Sequence, residues 1–233
     1  MIENNLKIVI EKIHNSVEKS NRDFNDIRIV AVSKTNPISS ILDGLKVGLT
    51  DFGENKAVEF RDKSELINDK LIWHFIGHLQ RNKVKYVINS ADYIHSVDSI
   101  KLAEEINKRA TAIGKVQNVF FEVNTSGEDS KFGLTNYDDL YELVNRSEEL
   151  SSIKVCGLMT MASFTSNDYE LRKSFSELRE MRDKIKNRIK SISELSMGMT
   201  NDYNIAIEEG ATMLRIGTAI FGKRDTSLTW SEK

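Results

Sequence analysis

The sequence predicts an α/β protein, a single (β/α)8 TIM barrel with an extra helix at its N-terminus. Eight short apolar segments rich in β-branched residues recur along the chain, and seven of them run directly into a helical pattern. The length of 233 residues is close to the ~250 typical of such a barrel. No linker divides it: there is one proline, and no serine-glycine or low-complexity tract marks a boundary. One domain is therefore expected over residues 1–233, with the barrel proper at about 27–222. An open doubly wound sheet is disfavoured, because no Gly-x-Gly-x-x-Gly turn follows any strand.

The elements follow in order. Ile2, Leu6, Val9, Ile10, Ile13 and Val17 fall at helical spacing, which predicts an amphipathic helix plugging or flanking the barrel. Ile27 to Lys34 reads as a buried strand ending on a lysine, and Asn36-Pro37 then supplies a cap and a first-turn residue for a helix through Leu45. Leu49 to Phe52 is a second strand, Gly53-Glu-Asn55 a turn, and Ala57 to Leu66 a helix. Leu71 to Ile76 is the third strand, broken by Gly77-His78 before a short basic helix from Leu79 to Ile88. Tyr93 to Val97 is the fourth, followed by a helix capped at Asp98 or Ser99 and running through Ala112. Val116 to Val123 is the fifth, with a polar loop to Gly133 and a helix over 137–149. Val155 to Met159 is the sixth, ahead of a long charged helix over 168–189. Glu194 to Ser196 is the seventh, with a helix opening at Ser196-Met-Gly-Met-Thr200 and ending at Glu209. Thr212 to Arg215 is the eighth, closed by a turn or short helix at Gly217 to Gly222 and a ragged tail to Lys233.

Composition removes several function classes. A formal net charge of −2 provides no basic field for nucleic acid. Cys156 is the only cysteine, so no intramolecular disulfide forms, and its apolar setting predicts an inert buried thiol suited to a reducing compartment. No apolar run approaches the ~20 residues of a membrane span, and the N-terminus has no signal-like core. The expected location is the cytoplasm.

In a barrel, chemistry gathers at the C-terminal ends of the strands. Those ends carry Lys34, Asn55, His78, His95, Asn124, Met159, Ser196 and Arg215. Alone, Lys34 is a lysine punctuating a strand end; beside seven other polar or functional ends it becomes a candidate nucleophile. Ser196 to Thr200, with Gly198 and Met199, and Arg215-Ile-Gly217-Thr218 each combine glycine, hydroxyls and a helix start. Either alone is ordinary capping, but in consecutive loops after strands seven and eight they point to a phosphate site. Lysine, phosphate cradle and arginine on one mouth suggest pyridoxal phosphate held as a Schiff base on Lys34, with Arg215 facing the pyridine nitrogen and keeping it unprotonated. The alternative for Arg215 is a structural salt bridge.

The same residues carry a resemblance. Val32-Ser-Lys34-Thr, Phe52-Gly-Glu-Asn55, Trp73 to Lys83, Val123 to Gly133, Gly157-Leu-Met159, Leu195 to Met199 and Leu214 to Gly222 resemble, in order, segments of the pyridoxal-phosphate homeostasis proteins (the YggS/PROSC family). The resemblance implies Lys34 as the Schiff-base residue, Ser196, Gly217 and Thr218 around the phosphate, Arg215 at the ring nitrogen, and Asn55 and Met159 near the ring. It implies a cofactor carrier with apo enzymes as acceptors. Val58 departs from it, standing where the family often has glutamine. The segments are also similar to the N-terminal barrel of alanine racemases, and a racemase-like enzyme is the runner-up. A racemase needs a second base, which in that family comes from a second domain, and this chain ends soon after its eighth strand, so negligible racemase activity is expected.

Weaker signals remain. His74 and His78 are four apart, but on a strand and turn that spacing does not align two rings, so no metal site is expected. His95 reads as a satisfied interior histidine that supports the site from behind, and Lys131 as a loop lysine that is solvated or closes over a ligand. A sugar-phosphate aldolase using Lys34 without a cofactor is the third reading. A complete barrel needs no partner to cover its sheet, so a monomer is expected.

Overall fold

Eight parallel strands close on themselves in chain order, the last pairing with the first. They are β1 (Arg28–Val32), β2 (Asp51–Glu54), β3 (Ile72–Phe75), β4 (Tyr93–Val97), β5 (Gln117–Glu122), β6 (Ile153–Met159), β7 (Glu194–Ser196) and β8 (Met213–Ile216). The structure is a computed structural model and describes residues 1–128, 130–187, 189–223 and 230. Of the expected ragged tail, only Lys223 and Trp230 fall within the described residues.

Helix α1 (Ile2–Lys19) precedes the barrel and buries Leu6, Val9, Ile13 and Val17, the predicted stripe. It flanks rather than plugs, packing chiefly against α7 (Tyr203–Glu208) and α8 (Thr218–Phe221). Between strands run α2 (Ile38–Lys46), α3 (Ala57–Leu66), a 3-10 helix (Arg81–Tyr86), α4 (Ile100–Ala112), α5 (Tyr137–Ser147) and α6 (Asp168–Lys186). Their apolar faces meet the outside of the sheet in one large core. Inside the barrel, Val30, Phe120, Cys156, Met159 and Met213 form a second apolar cluster. Cys156 is buried there as expected, and burial pushes its thiol up to about 11.

Besides shifts of one to three residues at several ends, four departures from expectation have a local reason. Gly53, read as a turn, is a β2 residue paired with Val32 and His74. A Cβ there would lie 3.0 Å from Val30 and 3.3 Å from Ile76. The basic segment after β3 forms a 3-10 helix, matching the three-residue spacing of buried Val84 and Val87. Pro37 takes the cap position of α2 instead of its first turn, and the Asn36 amide turns back to the Lys34 carbonyl at 3.4 Å. The helix expected to open at Ser196 begins only at Tyr203. Gly198 adopts φ +94 and the Asp202 carboxylate accepts from the Met199 N–H at 2.5 Å, which together fold residues 197–202 into a loop.

Candidate functional site

At the ends of these strands lies a cavity of about 450 Å³, within the range of small-molecule sites. Six of the nine predicted site residues line it: Lys34, Asn55, Met199, Arg215, Gly217 and Thr218. Lys34 comes from the turn after β1, Asn55 from the end of β2, Arg215 from β8, and Thr218 from the start of α8. The other three lie outside the lining. Met159 is fully buried in the interior apolar cluster. Ser196 is also fully buried and engages Arg215. Gly198 answers a packing need, because a Cβ would meet Ala206 Cβ at 2.7 Å and Leu214 Cδ2 at 3.1 Å.

Arg215 sets the electrostatics of the floor. Its guanidinium donates to Ser196 O at 2.7 Å, Ser196 Oγ at 2.6 Å and Thr160 O at 2.8 Å. Among the described residues it makes no ion pair at contact distance, so the salt-bridge alternative is replaced by neutral acceptors. Burial lowers its pKa to about 10, opposed by Asp202 and Glu122, so it stays charged at neutral pH.

Behind Arg215 runs a chain of buried polar groups that crosses the barrel interior. Asp51 Oδ1 meets His74 Nε2 at 3.0 Å, His74 Nδ1 meets His95 Nε2 at 3.0 Å, and His95 Nδ1 meets Ser196 Oγ at 2.8 Å. Its direction can be deduced. Burial raises the Asp51 pKa, but hydrogen bonds from His74 and Thr50 outweigh it and leave an acceptor carboxylate. Burial lowers the pKa of His74, and drives that of His95 well down, so both rings are neutral. A neutral His74 that donates from Nε2 must accept at Nδ1. His95 then donates from Nε2 and accepts at Nδ1, and the Ser196 hydroxyl donates to it. Ser196 Oγ is thereby left with lone pairs for Arg215. His95 is the satisfied interior histidine the sequence suggested, and His74 is its partner instead of a metal ligand.

The rim is formed by loops. His78 stacks on Phe132 with ring centroids 3.6 Å apart and lies 3.7 Å from Asp98. Lys131 is tied down rather than freely solvated. It donates to Glu128 Oε1 at 2.7 Å and to Ala162 O at 3.0 Å, tying the loop after β5 to the loop after β6. Asn55 Oδ1 is buried with no hydrogen-bond partner among the described residues.

The family model for the alanine racemase N-terminal domain matches residues 8–225. A pyridoxal phosphate homeostasis protein of Aquifex aeolicus is 43% identical over 94% of this chain and 96% of its own. One from Haemophilus influenzae is 37% identical over 97% of each chain. The chain belongs to the pyridoxal phosphate homeostasis protein family. Among solved structures, PipY of Synechococcus elongatus PCC7942, determined with PLP bound, aligns with a TM-score of 0.83 at 29% identity, covering 95% of this chain and all of that one.

Several groups around this homeostasis-family cavity escaped the sequence reading. Asp202, 7% exposed, lines the cavity and fixes the Met199 N–H. Glu122, 2% exposed at the end of β5, has a buried Oε2 without a hydrogen-bond partner among the described residues. Burial, reinforced by Asp98 and opposed by Arg215, raises its pKa to about 7. The signal for Glu122 was a carboxylate inside an otherwise apolar strand, Val119-Phe-Phe-Glu122, where a charge needs a reason. Asp202 left no such signal.

Proposed function

We propose that this chain binds pyridoxal 5′-phosphate in the cavity, carries it covalently on Lys34, and releases it to apo enzymes, serving cytoplasmic cofactor homeostasis without turnover of its own. One observation carries the reading: a primary amine and a buried guanidinium line the same cavity as Gly217, Thr218 and Thr200. Naming of the relatives as homeostasis proteins and the PLP-bound PipY support it.

The residues fit the group. Bound pyridoxal phosphate supplies an aldehyde that condenses with a primary amine and a pyridine ring that can withdraw electrons. Lys34 is the amine. Thr200, Gly217 and Thr218 are assigned to the phosphate, where hydroxyl and backbone donors suit an anion. Arg215 is assigned to the ring nitrogen. A guanidinium only donates, so the nitrogen it faces stays unprotonated, which suits retention over catalysis. Asn55 Oδ1, buried and unpaired among the described residues, is an acceptor suited to a donor of the bound group. Met159, Ser196 and Gly198 act from behind the lining, Ser196 by holding Arg215.

The test is direct. Purified protein mixed with pyridoxal phosphate is expected to absorb in the visible, to yield an adduct on Lys34 after borohydride reduction, and to lose both in Lys34→Ala. Holo protein is then expected to restore activity to an apo enzyme separated from it by no membrane. A colourless mixture with no reduced adduct would overturn the cofactor reading, and a holo protein that never surrenders its cofactor would overturn the carrier reading.

A further inference from the structure

Lys34 is gripped from behind its backbone. Thr35 sits at φ +63, in the left-handed region, where a β-branched residue is an outlier and stores strain. Its N–H donates to Glu59 Oε1 at 2.6 Å. On the other side of Lys34, the Ser33 carbonyl accepts from Lys63 Nζ at 3.0 Å. Glu59 and Lys63 are one turn apart on α3 and meet at 2.7 Å, while Lys63 also meets Glu54 Oε1 at 2.8 Å. Glu54 Oε1 in turn accepts from the Ser33 hydroxyl at 2.7 Å. Lys63 and Glu54 have no exposed surface, Glu59 has 5%, and the Trp230 ring lies 5.5 Å from Lys63 Nζ.

Buried charges of this kind cost several kcal/mol each in desolvation, and apolar residues of similar volume often serve stability equally well. Stability alone is therefore a weak account of three of them. The backbone groups that Glu59 and Lys63 hold are those flanking Lys34. We infer that Glu59 and Lys63 are positioning residues that clamp the strained turn on both sides of Lys34 and so present its amine to the cavity. The inference rests on the reading of Lys34 as the residue that carries pyridoxal phosphate.

Glu59→Leu removes the acceptor for Thr35, Glu59→Gln keeps an Oε1 in place, and Thr35→Gly removes the strain, because glycine populates positive φ freely. In cofactor-free protein, amide exchange at Thr35 is expected to rise about tenfold or more in Glu59→Leu. The dissociation constant for pyridoxal phosphate, titrated by absorbance, is expected to weaken about tenfold or more, as misplacing a reacting group does. Glu59→Gln is expected to stay within about threefold of the parent, and the double variant Glu59→Leu/Thr35→Gly to recover most of the loss. Should Glu59→Leu not fold, Thr35→Pro removes the donor and forces φ negative while leaving the charges intact, with the same weakening expected. Parent-like affinity in either variant, or a double variant no better than Glu59→Leu, overturns the inference. Unchanged Thr35 exchange in Glu59→Leu sinks the clamp itself, whereas a parent protein that binds no pyridoxal phosphate sinks only the reading of Lys34.

Discussion

Glu122 shows how a single residue ties the site to stability. With its pKa raised to about 7 by burial, against an ordinary 4.5, the fold favours its protonated form. That contribution is fully present below about pH 4.5 and is lost as pH rises through about 7. Glu122→Gln is therefore expected to stabilise the protein at pH 8, by at most about 3 kcal/mol, and to leave it unchanged near pH 4.5. Urea unfolding at the two pH values measures this; equal gains at both would show that Glu122 is ionised in the native state throughout. Residue-level legibility divided along the same line. Lys34, Asn55, Arg215, Gly217 and Thr218 were readable because strand-end position in a barrel is a one-dimensional property. Asp51, His74 and Glu59 were not, because their partners lie 23, 21 and 24 positions away and become neighbours only after closure.

At the scale of elements, several extents were legible along the chain. Residues 57–66 and strands 93–97 and 194–196 have the bounds the sequence predicted. Helix α3 is informative because it buries Glu59 and Lys63 beside Phe60: its length could be read, but not its inward face. Gly53 misled, since it looks like a breaker and is a strand residue, whereas Gly157 was read within its strand and lies there. A Cβ on Gly157 would stand 1.9 Å from Glu194 O and 2.6 Å from its carbonyl carbon, which are backbone atoms of the adjoining strand and cannot swing away. Gly157→Ala is expected to cost about 3 kcal/mol or more, by forcing β6 and β7 apart. A melting temperature within a degree of the parent would contradict that close approach.

At the scale of the molecule, closure of the sheet leaves no edge strand to template pairing. A single 26.6 kDa chain is the species expected by sedimentation, with or without cofactor, and a concentration-independent dimer would contradict it. Closure also decides what the cavity can do. Its ionisable lining among the described residues is Lys34, His78, Asp202 and Arg215. Arg215 is held by carbonyls, Asp202 by the Met199 N–H, and His78 is stacked on Phe132. Racemisation needs a second base opposite the first, so the loaded protein is expected to leave D- and L-alanine unconverted on the timescale of an enzyme. Rapid interconversion would place it among the catalysts.

The sequence by itself determined the barrel, the order of its elements, the family and six of the residues that line the cavity, because hydrophobic period and strand-end position are written along the chain. Only the tertiary structure decided what supports them: the direction of the Asp51–His74–His95–Ser196–Arg215 chain, the neutral histidines within it, and the charged clamp beneath Lys34. Those depend on which strands become neighbours and on how completely water is excluded, and desolvation is a property of the closed barrel that no local segment contains.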